Sequence, residues 1–116
     1  MIAHIVLFTP KPKVTTDAVR SFAQAVLDVC GSVPSIQRAM IGKAISVDPG
    51  YTRAMGHSTY KYAAVLEFAH SAALIDYLKH PDHAKLGRLF WDVCESTSVV
   101  EVEGRDPGSW TVDDLV

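Results

Sequence analysis

The 116-residue sequence predicts a single α+β domain, and three observations support that class. Apolar runs rich in β-branched residues alternate with stretches of helical periodicity, and the strand-helix-strand order occurs twice. Hydrophobic residues make up 48% of the chain and charged residues 21%, the balance of an ordinary folded domain. We therefore expect one folded unit over residues 1–103 and a tail over residues 104–116.

The first predicted strand covers residues 2–8, a run dense in β-branched and aromatic residues. It ends before two prolines, which cannot donate hydrogen bonds to a sheet. Side chains alternate along a strand, and here both faces are mostly apolar, so helices covering one face would leave the other in need of a second cover. The two faces carry His4, Val6 and Phe8, and Ala3, Ile5 and Leu7.

The next three elements follow from helical periodicity and from strand-like runs. A helix is expected to begin at a hydroxyl cap near Thr15, because its apolar residues then fall on one stripe. Gly31 is expected to end that helix in the left-handed conformation of a carboxyl cap. Strands are predicted over residues 36–45 and 59–68, with a polar loop over residues 47–57 between them.

The second half predicts a broken helix and a last strand. A short helix over Ser71–Lys79 is followed by another, in which Pro81 suits the first position and Asp82 the positive end. Residues 98–103 form the predicted fourth strand. The order β-α-β-β-α-β is ferredoxin-like and leaves one sheet face bare. A bare apolar face needs a partner, so we expect a homodimer whose two sheets enclose a cavity.

Charge and cysteine content exclude several classes of function. A net charge of −2 provides no cationic field for nucleic acid or for an anionic membrane. The first apolar run is too short for a membrane span or a secretory signal, so a cytoplasmic location is expected. Cys30 and Cys94 lack metal-ligand spacing and are expected to be buried thiols, and we predict neither a metal nor a cofactor.

Four segments carry a family pattern through their order and spacing: HIVLF at residues 4–8, AVLEF at residues 64–68, DYLKHPDH at residues 76–83, and FW at residues 90–91 before the valine pair at 99–100. Over roughly residues 1–103 the chain resembles the stress-responsive A/B barrel (Dabb) family of the dimeric α/β-barrel superfamily. The resemblance implies a ferredoxin-like protomer whose sheet joins that of a twin in an eight-stranded barrel.

At its polar positions the chain also resembles plant polyketide cyclases of the olivetolic acid cyclase type. Those enzymes close a linear poly-β-keto thioester by intramolecular aldol condensation. The resemblance implies that Tyr77 and His83 are catalytic and that His4 is a further catalytic-pocket histidine. It also implies that Val6 and Phe8, on the same strand face as His4, contact the substrate.

The position of His83 in the sequence is a second reason to expect that it acts as a base. It lies three residues before Leu86 and seven before Phe90, which places it on the buried stripe of its helix. Burial and the positive helix end both disfavour imidazolium, so we expect a neutral ring that can accept a proton at pH 7. A general base that removes a proton from carbon needs this state. The alternative is a core histidine bonded to the backbone.

The other candidate residues also have two interpretations. Tyr77 either donates a hydrogen bond to a carbonyl or enolate oxygen, or packs its ring in the core with a solvated hydroxyl. His4 either contacts a ligand or is a hydrogen-bonded interior histidine. Trp91 is expected to fill a contact between helix and sheet. Trp110 is expected to anchor the tail on this protomer or on its partner.

Two hypotheses of function follow. The first is a cofactor-independent cyclase or isomerase acting on a ketonic small molecule, with His83 as general base, Tyr77 as oxyanion donor and His4 as a second polar contact. It requires the side chains of His83 and Tyr77 to converge on one pocket of at least a few hundred cubic ångströms. The alternative is a non-catalytic dimer that binds a small apolar molecule or has a structural, stress-related role.

Overall fold

The computed structural model describes residues 1–45 and 60–116. The predicted polar loop over residues 47–57 and the first residue of the third predicted strand lie outside these ranges. The elements in chain order are β1 (Ile2–Pro10), α1 (Thr16–Ser32), β2 (Arg38–Lys43), β3 (Tyr62–Phe68), α2 (Ser71–Lys79), α3 (Pro81–Val93), β4 (Cys94–Glu103), a 3₁₀ turn (Pro107–Ser109) and α4 (Val112–Leu115).

The sheet has the order β2-β3-β1-β4, and every neighbouring pair is antiparallel. This is the ferredoxin-like α+β arrangement that the element order predicts. β1 continues two residues beyond its predicted end, because Pro10 still pairs with Cys94 after a register shift. β4 begins four residues before its predicted start, because the chain passes from Val93, the last residue of α3, directly into the strand.

Capping explains where α1 begins, but α1 does not end at the predicted residue. Thr15 caps α1 as expected, its Oγ1 accepting a hydrogen bond from the Ala18 N–H at 3.1 Å. The expectation for Gly31 is wrong, because α1 continues through Ser32 and ends at Val33 in extended conformation. Val33 is 4% exposed, so its packing in the core, and not a glycine cap, ends the helix.

Helices pack on one face of the sheet, and the other face is not covered by them. Toward the helices lies the core, in which Phe68 is fully buried. The opposite face carries a row of apolar side chains that crosses all four strands, since Met40 pairs with Val65, Val65 with Ile5, and Ile5 with Val100. Met40 and Val100 are 57% and 49% exposed. We call this surface the open face, and it has the apolar character that the alternation in β1 predicts.

The tail folds locally. The Arg105 guanidinium lies 3.7 Å from the centre of the Trp110 ring, and the indole N–H donates to the Arg105 carbonyl at 3.4 Å. Gly104 N–H donates to the Met1 carbonyl at 2.7 Å and ties the start of the tail to β1. Trp110 therefore contacts its own tail. The division between residues 1–103 and 104–116 stays a prediction.

Replacement of Phe68 by alanine should lower the free energy of unfolding by about 3–5 kcal/mol, because the fully buried ring leaves a cavity beside Tyr77. Urea denaturation at a fixed protomer concentration measures the loss. The control is Leu27→Ala on the exposed side of α1, where the side chain is 60% exposed and the change should stay within about 0.5 kcal/mol. Equal losses in the two variants would contradict the assignment of the core.

Candidate functional site

A cavity of about 560 Å³ lies between the sheet and helices α2 and α3. Its volume is within the range of roughly 300–1,000 Å³ that is usual for small-molecule sites. The wall is mostly apolar, with a few polar side chains among the lining residues. They include His4 and Val6 of β1, Tyr77 of α2, His83 and Trp91 of α3, and Glu101 of β4.

The cavity lies on the helix-covered side of the sheet, within one protomer. The expectation of a chamber closed by a second copy and carrying the imidazole and phenol groups is therefore wrong. The strand alternation explains the difference: His4 pairs with Leu66 and Glu101 on the helix side, whereas its neighbour Ile5 points to the open face. His4, Tyr77, His83 and Glu101 of a single protomer line this one cavity.

Three side chains predicted from the sequence meet in this cavity. The Tyr77 ring makes an edge contact with the His83 ring at a centroid distance of 4.7 Å and with the His4 ring at 5.6 Å. Its other contact is a stack on Phe68 at 5.4 Å. A phenol thus lies between two imidazoles, each supplied by a different element of the fold. The break before α3 makes this possible, and helical periodicity does not predict the direction of a side chain across such a break.

The half-buried His83 is held in its neutral form. Burial lowers the pKa of its imidazole, and the like charge of a protonated His4 lowers it further. A hydrogen bond with the Leu78 backbone acts in the opposite direction. At pH 7 the ring therefore has an unprotonated nitrogen, as the sequence predicts, although the second cause is His4 and not the helix terminus.

Tyr77 differs from His83 because it keeps its proton at neutral pH. Its side chain is 3% exposed, and burial raises the pKa of the phenol to about 12, with a smaller contribution from the Cys30 thiol. The hydroxyl therefore keeps its proton throughout the neutral range. A protonated phenol beside an unprotonated imidazole provides one hydrogen-bond donor and one proton acceptor.

Glu101 belongs to the site and sequence reasoning missed it. His4 Nδ1 lies 2.9 Å from Glu101 Oε1, and the two residues are cross-strand partners in β1 and β4. The sequence gives the face on which each residue lies within its own strand. It does not give the register between β1 and β4, whose paired residues His4 and Glu101 lie 97 positions apart. The sequence therefore does not predict this contact.

Two other expectations do not agree with the structure. Val6 lines the cavity, but Phe8 does not, because its ring is buried between Phe22, Tyr62 and Phe90. Its position gives no support to a substrate contact. Trp91 fills no contact between helix and sheet; it is 85% exposed and lines the cavity at its rim.

Two further histidines, His70 and His80, are helix caps, and both cysteines are free thiols. His70 and His80 cap α2 and α3, their Nδ1 atoms accepting from the N–H groups of Ala73 and Asp82. Cys94 is buried and Cys30 half-buried, both as free thiols. Over residues 1–45 and 60–116, no three His, Cys, Asp or Glu side chains are grouped as a metal site would need. In the same ranges no helix has the length and apolar content to cross a membrane.

Solved structures share this fold. A Dabb family protein with a ferredoxin-like fold from Mesorhizobium loti is 23% identical with a TM-score of 0.69, over 90% of this chain and 97% of that one. A dimeric ferredoxin-like protein of unknown function from Thermobifida fusca is 22% identical with a TM-score of 0.67, over 87% and 88%. A hydroxynitrile lyase from Passiflora edulis is 15% identical with a TM-score of 0.70, over 91% and 96%. At these identities the similarity establishes the fold.

Comparison with curated proteins gives no match. Several structural neighbours are described as dimeric. The finer resemblance to plant polyketide cyclases stays a prediction. The family pattern of the stress responsive A/B barrel domain matches residues 2–104, which is nearly the whole chain. The protein therefore belongs to the stress-responsive A/B barrel (Dabb) domain family.

Proposed function

We propose that the protein is a cofactor-independent cyclase or isomerase that acts on a small ketone. The observation that carries this proposal is the convergence of an unprotonated imidazole and a protonated phenol, 4.7 Å apart between ring centres, on one cavity. His83 is the general base and Tyr77 the hydrogen-bond donor to the carbonyl oxygen. His4 is the second polar contact, and Val6 contributes to the apolar wall.

The proposed reaction begins with proton transfer from carbon to His83. The electron pair of the C–H bond forms a carbon–carbon double bond, and the carbonyl electrons move to the oxygen, where the Tyr77 O–H donates to the enolate. Return of the proton to a different carbon gives an isomer. Attack of the enolate carbon on a second carbonyl of the same molecule forms a ring, and the alkoxide produced takes the proton from His83.

The surroundings of the two groups favour this chemistry. The wall of the cavity is mostly apolar, so a hydrogen bond to a developing negative charge is stronger there than in bulk water. The Passiflora edulis hydroxynitrile lyase has the same fold, which supports an enzyme with small organic substrates. Because fold alone does not specify a reaction, the argument rests on the site. A cytoplasmic location also remains part of the proposal.

A non-catalytic ligand-binding dimer is the second candidate. The observation in its favour is the packing of Tyr77, whose ring is 3% exposed and stacks on the fully buried Phe68. A residue so deeply packed contributes to stability whether or not it contributes to catalysis. The two candidates differ in one property, because only the first changes the covalent bonds of its ligand.

We also infer that two copies pair through the open face. Its apolar row, Met40, Val65, Ile5 and Val100, crosses the whole sheet, and a homodimer would remove it from water. The dimeric state of several structural neighbours supports this pairing.

The catalytic proposal predicts that the protein accelerates exchange of the α-protons of benzylacetone, a neutral aromatic ketone, in deuterated water. His83→Gln should slow the catalysed exchange by about 100-fold or more, because the base is lost. Tyr77→Phe should slow it by about 100-fold through loss of the oxygen donor. Proton NMR of the ketone measures the rates, and His70→Asn, which retains a capping side chain outside the cavity, should leave them unchanged.

Wild-type rates in the His83→Gln protein would exclude the base role. The non-catalytic alternative predicts binding without exchange. Quenching of the fluorescence of Trp91 by benzylacetone, in a Trp110→Phe background, detects binding at the rim of the cavity. Quenching by the wild-type site with no exchange above the solvent rate would favour the second candidate.

The His83 ring should titrate below the ordinary histidine value of about 6.5. His4→Asn should move its midpoint upward, because the substitution removes the positive neighbour that disfavours imidazolium. NMR titration of the ring protons, assigned with the His83→Gln variant, gives both midpoints. A wild-type midpoint above pH 7 would contradict the neutral base, and an unchanged midpoint in His4→Asn would contradict the coupling.

Val100→Lys should convert the proposed dimer to a monomer at micromolar concentration. A lysine at the β4 end of the apolar row places a charge against the partner sheet, whose apolar surface cannot solvate it. Sedimentation velocity measures the state. Leu27→Lys, on the exposed side of α1, is the matched control and should stay dimeric. A wild-type protein that is monomeric under these conditions excludes the pairing.

A further inference from the structure

One of the two cavity histidines has a carboxylate partner. His4 Nδ1 and Glu101 Oε1 lie 2.9 Å apart, with the histidine side chain 6% and the glutamate side chain 44% exposed. The strand pairing sets them directly opposite each other, so the contact follows from backbone register and not from a chance meeting of two long side chains. His83 differs, since its hydrogen bond is to the Leu78 backbone.

The contact determines which nitrogen of His4 carries a proton. An ionised carboxylate only accepts hydrogen bonds, so the Nδ1 atom at 2.9 Å must be the donor. In the neutral ring the proton then resides on Nδ1, and Nε2 has a free lone pair. Because His4 lines the cavity, Nε2 is the ring nitrogen left for a bound molecule.

We propose that Glu101 is a positioning residue, which holds His4 in the Nδ1–H form and so makes its Nε2 a second proton acceptor in the cavity. The catalytic part of this inference rests on the proposed function. The partly exposed Glu101 carboxylate orients the His4 ring through Nδ1, as the carboxylate of a hydrolase triad orients its histidine. His4 thus becomes more than a polar contact.

The arrangement also separates the roles of the two imidazoles. His83 lacks a carboxylate partner among the described residues and is pushed toward the neutral form by burial and by His4. The His4 ring instead lies beside a carboxylate, with Nδ1 2.9 Å from Glu101 Oε1. A positive charge on His4 disfavours a positive charge on His83. The pair therefore suits successive proton transfers at two atoms of one substrate.

The tautomer can be measured without any substrate. Long-range ¹H–¹⁵N NMR at pH 9, where imidazoles are neutral, should show His4 protonated on Nδ1, with the signals assigned from a His4→Asn variant. Glu101→Gln should retain this form, because the amide oxygen still accepts from Nδ1. Glu101→Leu should move His4 toward the Nε2–H form. Glu103→Gln, two residues along the same strand face, is the matched control and should change nothing.

Two outcomes would overturn the positioning role: an Nε2–H ring for His4 in the wild-type protein, or the same tautomer in Glu101→Leu as in wild type. If Glu101→Leu fails to fold, as seen from its backbone amide spectrum, Glu101→Ser provides the same comparison, because its short side chain does not reach Nδ1.

The catalytic part is tested with the benzylacetone exchange assay. Glu101→Leu should lower the catalysed rate by about tenfold or more, which is the usual size of the effect of losing a partner that orients a reacting group. Glu101→Gln should have an intermediate rate, since it keeps the tautomer but lacks the charge, and Glu103→Gln should equal wild type. Equal rates in wild type and Glu101→Leu would overturn the catalytic part. Absence of exchange in the wild type would instead refute the proposed function, and the tautomer measurement would still decide the positioning role.

Discussion

The site depends on the break between α2 and α3. In one continuous helix, residues six positions apart point about 120° apart around the axis, so Tyr77 and His83 would face different directions. His80 ends one helix and caps the next, and Pro81 occupies the first position of α3, where its missing N–H costs nothing. The chain therefore changes direction between the phenol and the imidazole, and their rings meet edge to face.

The sequence predicts the elements well because the signals for them are local. The bounds of α2 and the proline at the start of α3 follow from periodicity and capping, and the alternation in β1 correctly groups His4 with Val6. These local signals fail where tertiary packing determines where an element ends. Val33 ends α1 because its side chain is buried in the core, which a preference for glycine at helix ends does not anticipate.

The sequence predicts several residues of the site, but not the side of the sheet on which the site lies or its full composition. The apolar alternation in β1 does not say which face the helices cover, and this led to a chamber on the wrong side of the sheet. Strand register brings Glu101 to His4, and no pattern within either strand encodes register. Phe8 is expected in the cavity but lies in the core, whereas Trp91 is expected in a packing contact but lies at the rim of the cavity. Aromatic residues are typical of both environments, and only tertiary packing determines which one each residue occupies.

The position of the cavity on the helix side has a further consequence. The open face and the cavity lie on opposite sides of one sheet, separated by a single layer of backbone. Under the proposed pairing, substitutions in the open face would act on association, whereas substitutions in the cavity would act on the ligand. The two properties can therefore be varied separately in one protomer.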